Sequence, residues 1–354
     1  MKRLYLVIVC VSLMMSCSDD TSTSSGKVGW AIGHRPDGTA AILFTNNSGQ
    51  SWEEQGDPTL WEGLNGNDIS AVDEWTAWAA VGNEGKGAIL HTSDGGFTWK
   101  IQSFPEGVED EVKGIKGLSR DVAWAVTLSG IVMKTQDGGE TWAVIPHENV
   151  PIKQVNRIDA KGQDIWIADY GNTTAMIHSP DFGNTWRLEP LPQDSDIPET
   201  RPMGVTIVDS QTAWAAIKTY ASLYRTEDGG DAWNEDAPRV SGPGDIDDIC
   251  AANANVVWAV QNQGPTSGAI IRVRLINGTV VSDIMKPMKG YAFEGVTCFD
   301  EKTVWVVGYK PHAFEQDRPD GVILHTTDGS HWKSQPLPVK DVALWKVSFV
   351  GAHR

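Results

Sequence analysis

Apolar residues in this chain come in short runs, and polar, glycine-rich stretches part the runs at regular distances. Residues 69–104 show the unit. Positions 69–72 alternate as a first strand, 76–81 read as a second, 87–92 as a third and 98–104 as a fourth. Gly and Asn clusters separate them, as antiparallel hairpins require. Beyond the N-terminus no stretch carries a 3.6-residue period. Tryptophan marks each recurrence. Trp30, Trp78, Trp124, Trp166, Trp214, Trp258 and Trp305 follow short, often β-rich runs at intervals of 42–48 residues. Trp52, Trp99, Trp142, Trp186, Trp233 and Trp332 close a turn motif at intervals of 43–47 residues, with one member missing before the last. A period of this length built from short strands predicts β-propeller blades and not a helical solenoid. Seven Trp in the first register predict an all-β fold, a single seven-bladed propeller over residues 28–354. The first blade lacks a strand before Trp30, and residues 344–351 match the first-strand pattern of the other blades. This C-terminal strand is expected to pair with residues 28–32 and close blade one, which removes an exposed sheet edge.

Between third and fourth strands stands the pattern Ser/Thr-x-Asp-x-Gly-x-Thr-Trp. Asp94, Asp137 and Asp181 sit in intact copies, Asp228 in a nearly intact one and Asp328 in one a residue short. Asn47 replaces Asp in the first copy, and the sixth is reduced to Asn277-Gly278-Thr279. The carboxylate can accept backbone N–H bonds across a tight turn, Gly supplies a positive φ, and Trp returns to cover apolar surface. The pattern resembles the Asp-box, or bacterial neuraminidase repeat. Its Asp is expected to be structural, neither catalytic nor metal-binding, because each turn uses its own carboxylate.

The blade unit running from Trp78 to Trp99, and again from Trp124 to Trp142, resembles that of the photosystem II assembly/stability-factor-like propellers. The resemblance covers the whole mature chain. It implies a non-enzymatic chaperone, which in photosynthetic members binds a reaction-centre subunit through basic residues. This chain departs from that surface, being strongly acidic with scattered Arg. Two enzyme families also carry Asp-boxes. Sialidases have an Arg-Ile-Pro motif, whereas Arg35, Arg201 and Arg318 here are followed directly by Pro. Xyloglucan-specific endoglucanases place their acids in a cleft between two propellers, and this chain supplies one.

Composition changes the picture in two ways. Sixteen Trp in 354 residues resemble a stacking surface, but thirteen fall in the two registers and are expected to be scaffold. A net charge of −17 argues against nucleic acid and against direct binding to anionic lipid. Lys2 and Arg3 followed by an apolar run to Leu13 read as a secretory signal over residues 1–16. A small residue before Cys17 resembles the bacterial lipobox, in which Cys17 becomes the lipidated N-terminus. An ordinary signal peptide with an incidental Cys is the alternative. Residues 17–27 read as a flexible tether.

The box hairpins lie on one rim of such a propeller. The loops between blades, and those joining second to third strands, lie on the other. That second rim is the expected ligand face, with Arg35, Asp37, Tyr170, Tyr309 and His312 on second-to-third-strand loops and Arg157, Arg201, Asp245 and Asp247 between blades. Aromatics beside carboxylates and Arg suit a sugar or a peptide, although plain solvated loops would read the same. Asp245, Asp247 and Asp248 offer too few aligned carboxylates for Ca²⁺. No Ser-His-Asp or zinc-type spacing appears, so no catalytic residue, metal or cofactor is expected. Cys250 and Cys298 occupy nearly equivalent first-strand positions. A disulfide is open to them, but two buried thiols are the expectation, since first strands of neighbouring blades are expected to diverge.

The resulting expectation is a monomeric, non-enzymatic, lipid-anchored binding or assembly propeller of the cell envelope, exported as an outer-membrane or cell-surface lipoprotein. Its partner is a protein or a glycan at the channel mouth, with the membrane met through the anchor only. The alternative is a carbohydrate-active propeller, glycan-binding or a sialidase-like hydrolase. Convergence of carboxylates and aromatics at the mouth opposite the boxes would favour that alternative.

Overall fold

The computed structural model describes residues 26–147, 149–171, 175–192, 201–218, 222–237, 244–264, 266–284, 288–311 and 319–351. Among them the strands form seven antiparallel sheets, six of four strands and one with a short fifth strand. The innermost strands are Asn65–Ala71, Val112–Gly117, Val155–Lys161, Pro202–Ile207, Asp245–Asn253 and Ala292–Cys298 in blades two to seven. Blade one takes Ala343–Phe349 as its innermost strand. Each of the seven contacts the next, so they ring a central channel.

The C-terminal strand closes the ring as its pattern predicts. It runs antiparallel to Gly29–His34, with Gly29 opposite Phe349 and His34 opposite Ala343. Two boundaries differ from the alternation reading. In blade two the inner strand begins at Asn65, four residues before the alternating segment. Its polar start faces a channel and so lacks an apolar signal. The outer strand is only Lys100–Ile101. It is peripheral, and little burial extends it.

The core lies between blades. Clusters combine faces of neighbouring sheets, as when Trp214 of blade five packs with Ile246, Ile249 and Val257 of blade six. The first-register Trp are at most 2% exposed. Across the sheet each faces a flat or cationic side chain. Trp78 stacks on His91 at 3.7 Å, Trp166 on His178 at 3.9 Å and Trp305 on His325 at 4.3 Å. The second-register Trp then fasten one blade to the one before it. Trp142 meets Trp78 edge-on at 5.8 Å, and Trp233 meets Trp166 at 5.3 Å. Burying a Trp removes about 200 Å² from water, roughly 5 kcal/mol of gross apolar transfer. Trp61, outside both registers, is buried too and donates its Nε1–H to the Ala40 carbonyl at 3.1 Å.

The box turns have a common geometry. Thr98 N and Oγ1 donate to Asp94 at 2.9 and 2.6 Å, and Gly96 N donates to Thr92 Oγ1 at 2.9 Å. Asp137 and Asp181 repeat the pattern with Thr141 and Thr185. Asp228 receives the Ala232 N–H at 2.9 Å, and Asp328 receives those of Ser330 and His331 at 2.8 Å. Gly96 has φ +87°, and a Cβ there would meet the Gln55 side chain, so glycine is required twice over.

The inner strands are tied blade to blade. The amides of Gly117, Ile207, Ala251 and Ala71 donate to Ser70, Asp159, Thr206 and Ser348, each acceptor on the preceding blade. At the equivalent step between blades six and seven stand Cys250 and Cys298, with Cα atoms 5.9 Å apart, joined as a disulfide. This corrects the expectation of free thiols. Innermost strands converge on the channel, and divergence sets in only toward the rim of each blade.

Candidate functional site

Each inner strand carries a β-bulge where its ladder to the second strand slips by one residue. The bulged residues are Asn67, Lys113, Asn156, Met203, Asp247, Glu294 and Trp345, one from each blade. Bulges re-aim side chains. Here all seven line one cavity of about 230 Å³, together with His34, Asn65, Glu111 and Arg157. The cavity lies at the mouth away from the boxes, because inner strands run from this rim toward the first hairpin, on the box side.

One residue deeper, the blades contribute Asp68, Gly114, Arg157, Gly204, Asp248, Gly295 and Lys346 in turn. Charged side chains thus alternate with glycines, where a Cβ would press on the next blade, on Ile158 at Gly114 and on the Trp345 carbonyl at Gly295. Two acids and two bases fill this waist. Lys346 pairs with Asp248, and Arg157 Nε stands 4.0 Å from the same carboxylate. Asp68 Oδ2 accepts the Ile115 N–H at 3.0 Å and Asp248 Oδ2 that of Val296 at 2.9 Å. Below them Lys116 Nζ meets Asp159 Oδ1 at 2.7 Å. The channel is therefore cross-linked and narrow, and a ligand meets the bulge ring first.

The electrostatics of that ring are uneven. Burial first, then the negative charges of Glu294 and Asp245, push the Asp247 carboxyl up to about 8. Burial likewise pushes Glu294 up to about 7. Glu294 accepts a 3.4 Å bond from Asn262, while Asp247 Oδ2 is buried with no donor among the described residues. Tyr309 is half-buried beside both, and its hydroxyl is raised by burial and by their charge.

The expected ligand-face residues separate into three groups. Arg157 and Asp247 line the cavity. Tyr170, Arg201 and Asp245 form a chain along its rim. The Tyr170 hydroxyl accepts from Arg201 Nη1 at 2.8 Å and from Lys218 Nζ at 3.4 Å, and Lys218 continues to Asp245 Oδ2 at 3.3 Å. The Arg201 hydrogen bond pulls the Tyr170 hydroxyl down. Arg35 and Asp37 are local instead: Arg35 pairs with Glu54, and Asp37 Oδ1 accepts the Thr39 N–H at 2.9 Å to shape a turn. His312 and Cys17 lie outside the described residues. The bulge at Asp247 turns both Asp247 and its neighbour Asp248 to the channel, which strict alternation would not do.

Five members of the ring escaped the sequence reading of the ligand face: Asn67, Lys113, Asn156, Met203 and Glu294. Trp345 lies in the closing strand, residues 344–351, and carries no ligand-face signal of its own in the sequence. A signal for them exists. Each bulge residue stands two before the apolar inner-strand position occupied by Ile69, Ile115, Ile158, Val205, Ile249, Val296 and Val347. Aligning blades on that column lines up the ring.

A family model for the photosynthesis system II assembly factor YCF48 matches residues 106–266. The resemblance to that family of propellers therefore stands. Among solved structures, YCF48 from Cyanidioschyzon merolae is 14% identical, with 91% of this chain and 96% of that one covered and a TM-score of 0.60. A structure described as YCF48 bound to D1 peptide is 17% identical over 77% of this chain and 81% of that one, with a TM-score of 0.56. The GH74 xyloglucanase from Xanthomonas campestris is 13% identical over 94% of this chain and 56% of that one, with a TM-score of 0.57. At these identities the structures share the fold. No curated protein matches the chain.

Proposed function

We propose that this chain, a propeller similar to the YCF48 family, is a non-enzymatic, lipid-anchored binding and assembly module of the cell envelope that takes a segment of a partner protein at its channel mouth. The carrying observation is the bulge ring: seven blades each turn one side chain into a single cavity. A propeller of the same fold with a bound D1 peptide supports a peptide as the class of guest. Lipidation at Cys17 would set the orientation. The chain enters the fold at the box rim, where Ser48 N donates to the Lys27 carbonyl at 2.9 Å. A short tether from that rim turns the boxes toward the bilayer and the mouth away from it, as an outer-membrane or surface module requires. Two measurements test this. Mass spectrometry of the membrane-extracted protein should find an acylated Cys17 as the N-terminus, and Cys17→Ser should release the protein from the membrane fraction. Cross-linking in native envelopes should trap one partner reproducibly, and Met203→Trp, which plugs the mouth, should abolish that adduct. An adduct indifferent to the plug would defeat the reading.

One observation favours a second reading. Two carboxyls of raised pKa and an indole do converge at the mouth, as a carbohydrate-active site would require. Turnover of xyloglucan or of chromogenic glycosides by the wild type, abolished in Glu294→Gln, would replace the binding module by a hydrolase.

A further inference from the structure

Charge at the mouth is segregated around the ring. The bases Lys113 and Arg157 come from blades three and four. The acids Asp247 and Glu294 come from blades six and seven, with Trp345 of blade one beside them. The basic side is committed. Lys113 Nζ bonds Glu111 Oε1 at 3.0 Å, and Arg157 Nη1 donates to the Asn156 carbonyl at 2.9 Å. The acidic side has no hydrogen-bonded or ion-paired base among the described residues, and Arg157 acts on both carboxyls only through space. Lys346 is taken by Asp248, and Lys218 by Asp245.

A buried carboxylate must find a proton, a metal or an organic cation. A metal does not fit, because among the described residues no three His, Cys, Asp or Glu side chains gather to hold one. The walls point to the third option. The cavity of about 230 Å³ has the size of one long side chain. Trp345, stacked on His34 at 5.4 Å, supplies an aromatic wall for a cation. Trp345 Nε1 and His34 Nδ1 are buried without partners among the described residues, so a carbonyl next to that cation finds a donor in the indole N–H.

We infer that Asp247 and Glu294 form a receptor for one organic cation, the ammonium or guanidinium of a partner's lysine or arginine, held against Trp345. The inference rests on the binding-module reading and names what the mouth takes. It inverts the polarity that the family resemblance implied, since here the receptor supplies the acids.

Protons compete with such a guest. Asp247 faces Glu294, Asp245, Asp248 and Arg157, and Glu294 faces Arg157, Asp248 and Lys346. With the two carboxyls raised to about 8 and about 7, a cation binds better as pH rises through that range. Isothermal titration of the full mature chain with Nα-acetyl-lysine methylamide and Nα-acetyl-arginine methylamide tests this, with the norleucine analogue as neutral control. At about pH 8.5 at least one cationic probe should saturate, binding roughly tenfold or more tighter than at about pH 6, while the neutral analogue does not bind. D247N and E294Q should each weaken it roughly tenfold or more with melting transitions retained, and Trp345→Leu severalfold. Failure of both cationic probes to bind folded wild type at the higher pH overturns the receptor and leaves a proton-sharing structural pair. Equal binding of norleucine, or affinity unchanged in D247N, also overturns it. Probe binding without any envelope adduct leaves the receptor and removes the assembly role. An adduct formed equally by D247N leaves the assembly role and removes the receptor.

Discussion

At the scale of single residues, the same side chain serves opposite ends in two places. The box aspartates are held below their ordinary range by bonds from their own turns, Asp137 down to about 2 with the Thr141 hydroxyl as the largest cause. A lowered carboxyl contributes stability that is present above its ordinary value and lost as pH falls through the folded one. Asp247 and Glu294 are raised, so their contribution is full below about 4 and is lost as pH rises through about 8 and about 7. D247N should therefore melt roughly 3–6 °C above wild type near pH 9, about 1–2 kcal/mol, and close to wild type near pH 5. Thermal melts followed by circular dichroism at the two pH values check the sign. For the boxes, D94N should lower Tm less than D94A. Asn47 already performs the turn in the first copy, where its Oδ1 accepts the Ser51 N–H at 3.0 Å and its Nδ2 donates to the Ser51 hydroxyl at 2.7 Å. The Asp in each box was legible as a turn residue because its partners are neighbours in sequence. Glu294 was not, because its significance comes from Asp247, 47 positions earlier.

At the scale of strands, the inner ring is fastened by one device in several chemistries. A hydroxyl or carboxylate accepts the next blade's amide at four steps, and a disulfide stands at a fifth. Alkylation of the unreduced protein should accordingly add no mass at Cys250 or Cys298. Removing the bond with C250A should destabilise by about 2–4 kcal/mol, read as a lower denaturation midpoint. C250S should lose less, since its hydroxyl can accept the Cys298 amide as Ser70 accepts that of Gly117. Strand existence and order were readable from the Trp period. The bulges were missed although each leaves a trace: the buried apolar positions that flank it stand three residues apart, as Val112 and Ile115 or Ile246 and Ile249, and in a single blade such a gap reads as a break in the alternation.

At the scale of the molecule, closure decides whether the ring persists. Ending the chain before Lys340 removes the strand Ala343–Phe349, bares the edge at Gly29–His34 and deletes Trp345 from the mouth. Such a chain should aggregate or unfold, seen by light scattering on refolding, and unchanged melting would sink the closure argument. Blade number, the closing strand and the box turns were determined by the sequence itself. They depend on local alternation, on turn chemistry within a few residues, and on a repeat that can be counted. The tertiary structure alone decided what the channel contains. Convergence of seven strand starts put Asp247 beside Glu294 and Trp345, gathered Asp68, Arg157, Asp248 and Lys346 in one waist, and brought Cys250 within bonding reach of Cys298. Residues about one blade apart in sequence become neighbours only when the ring closes, and burial then sets their charge.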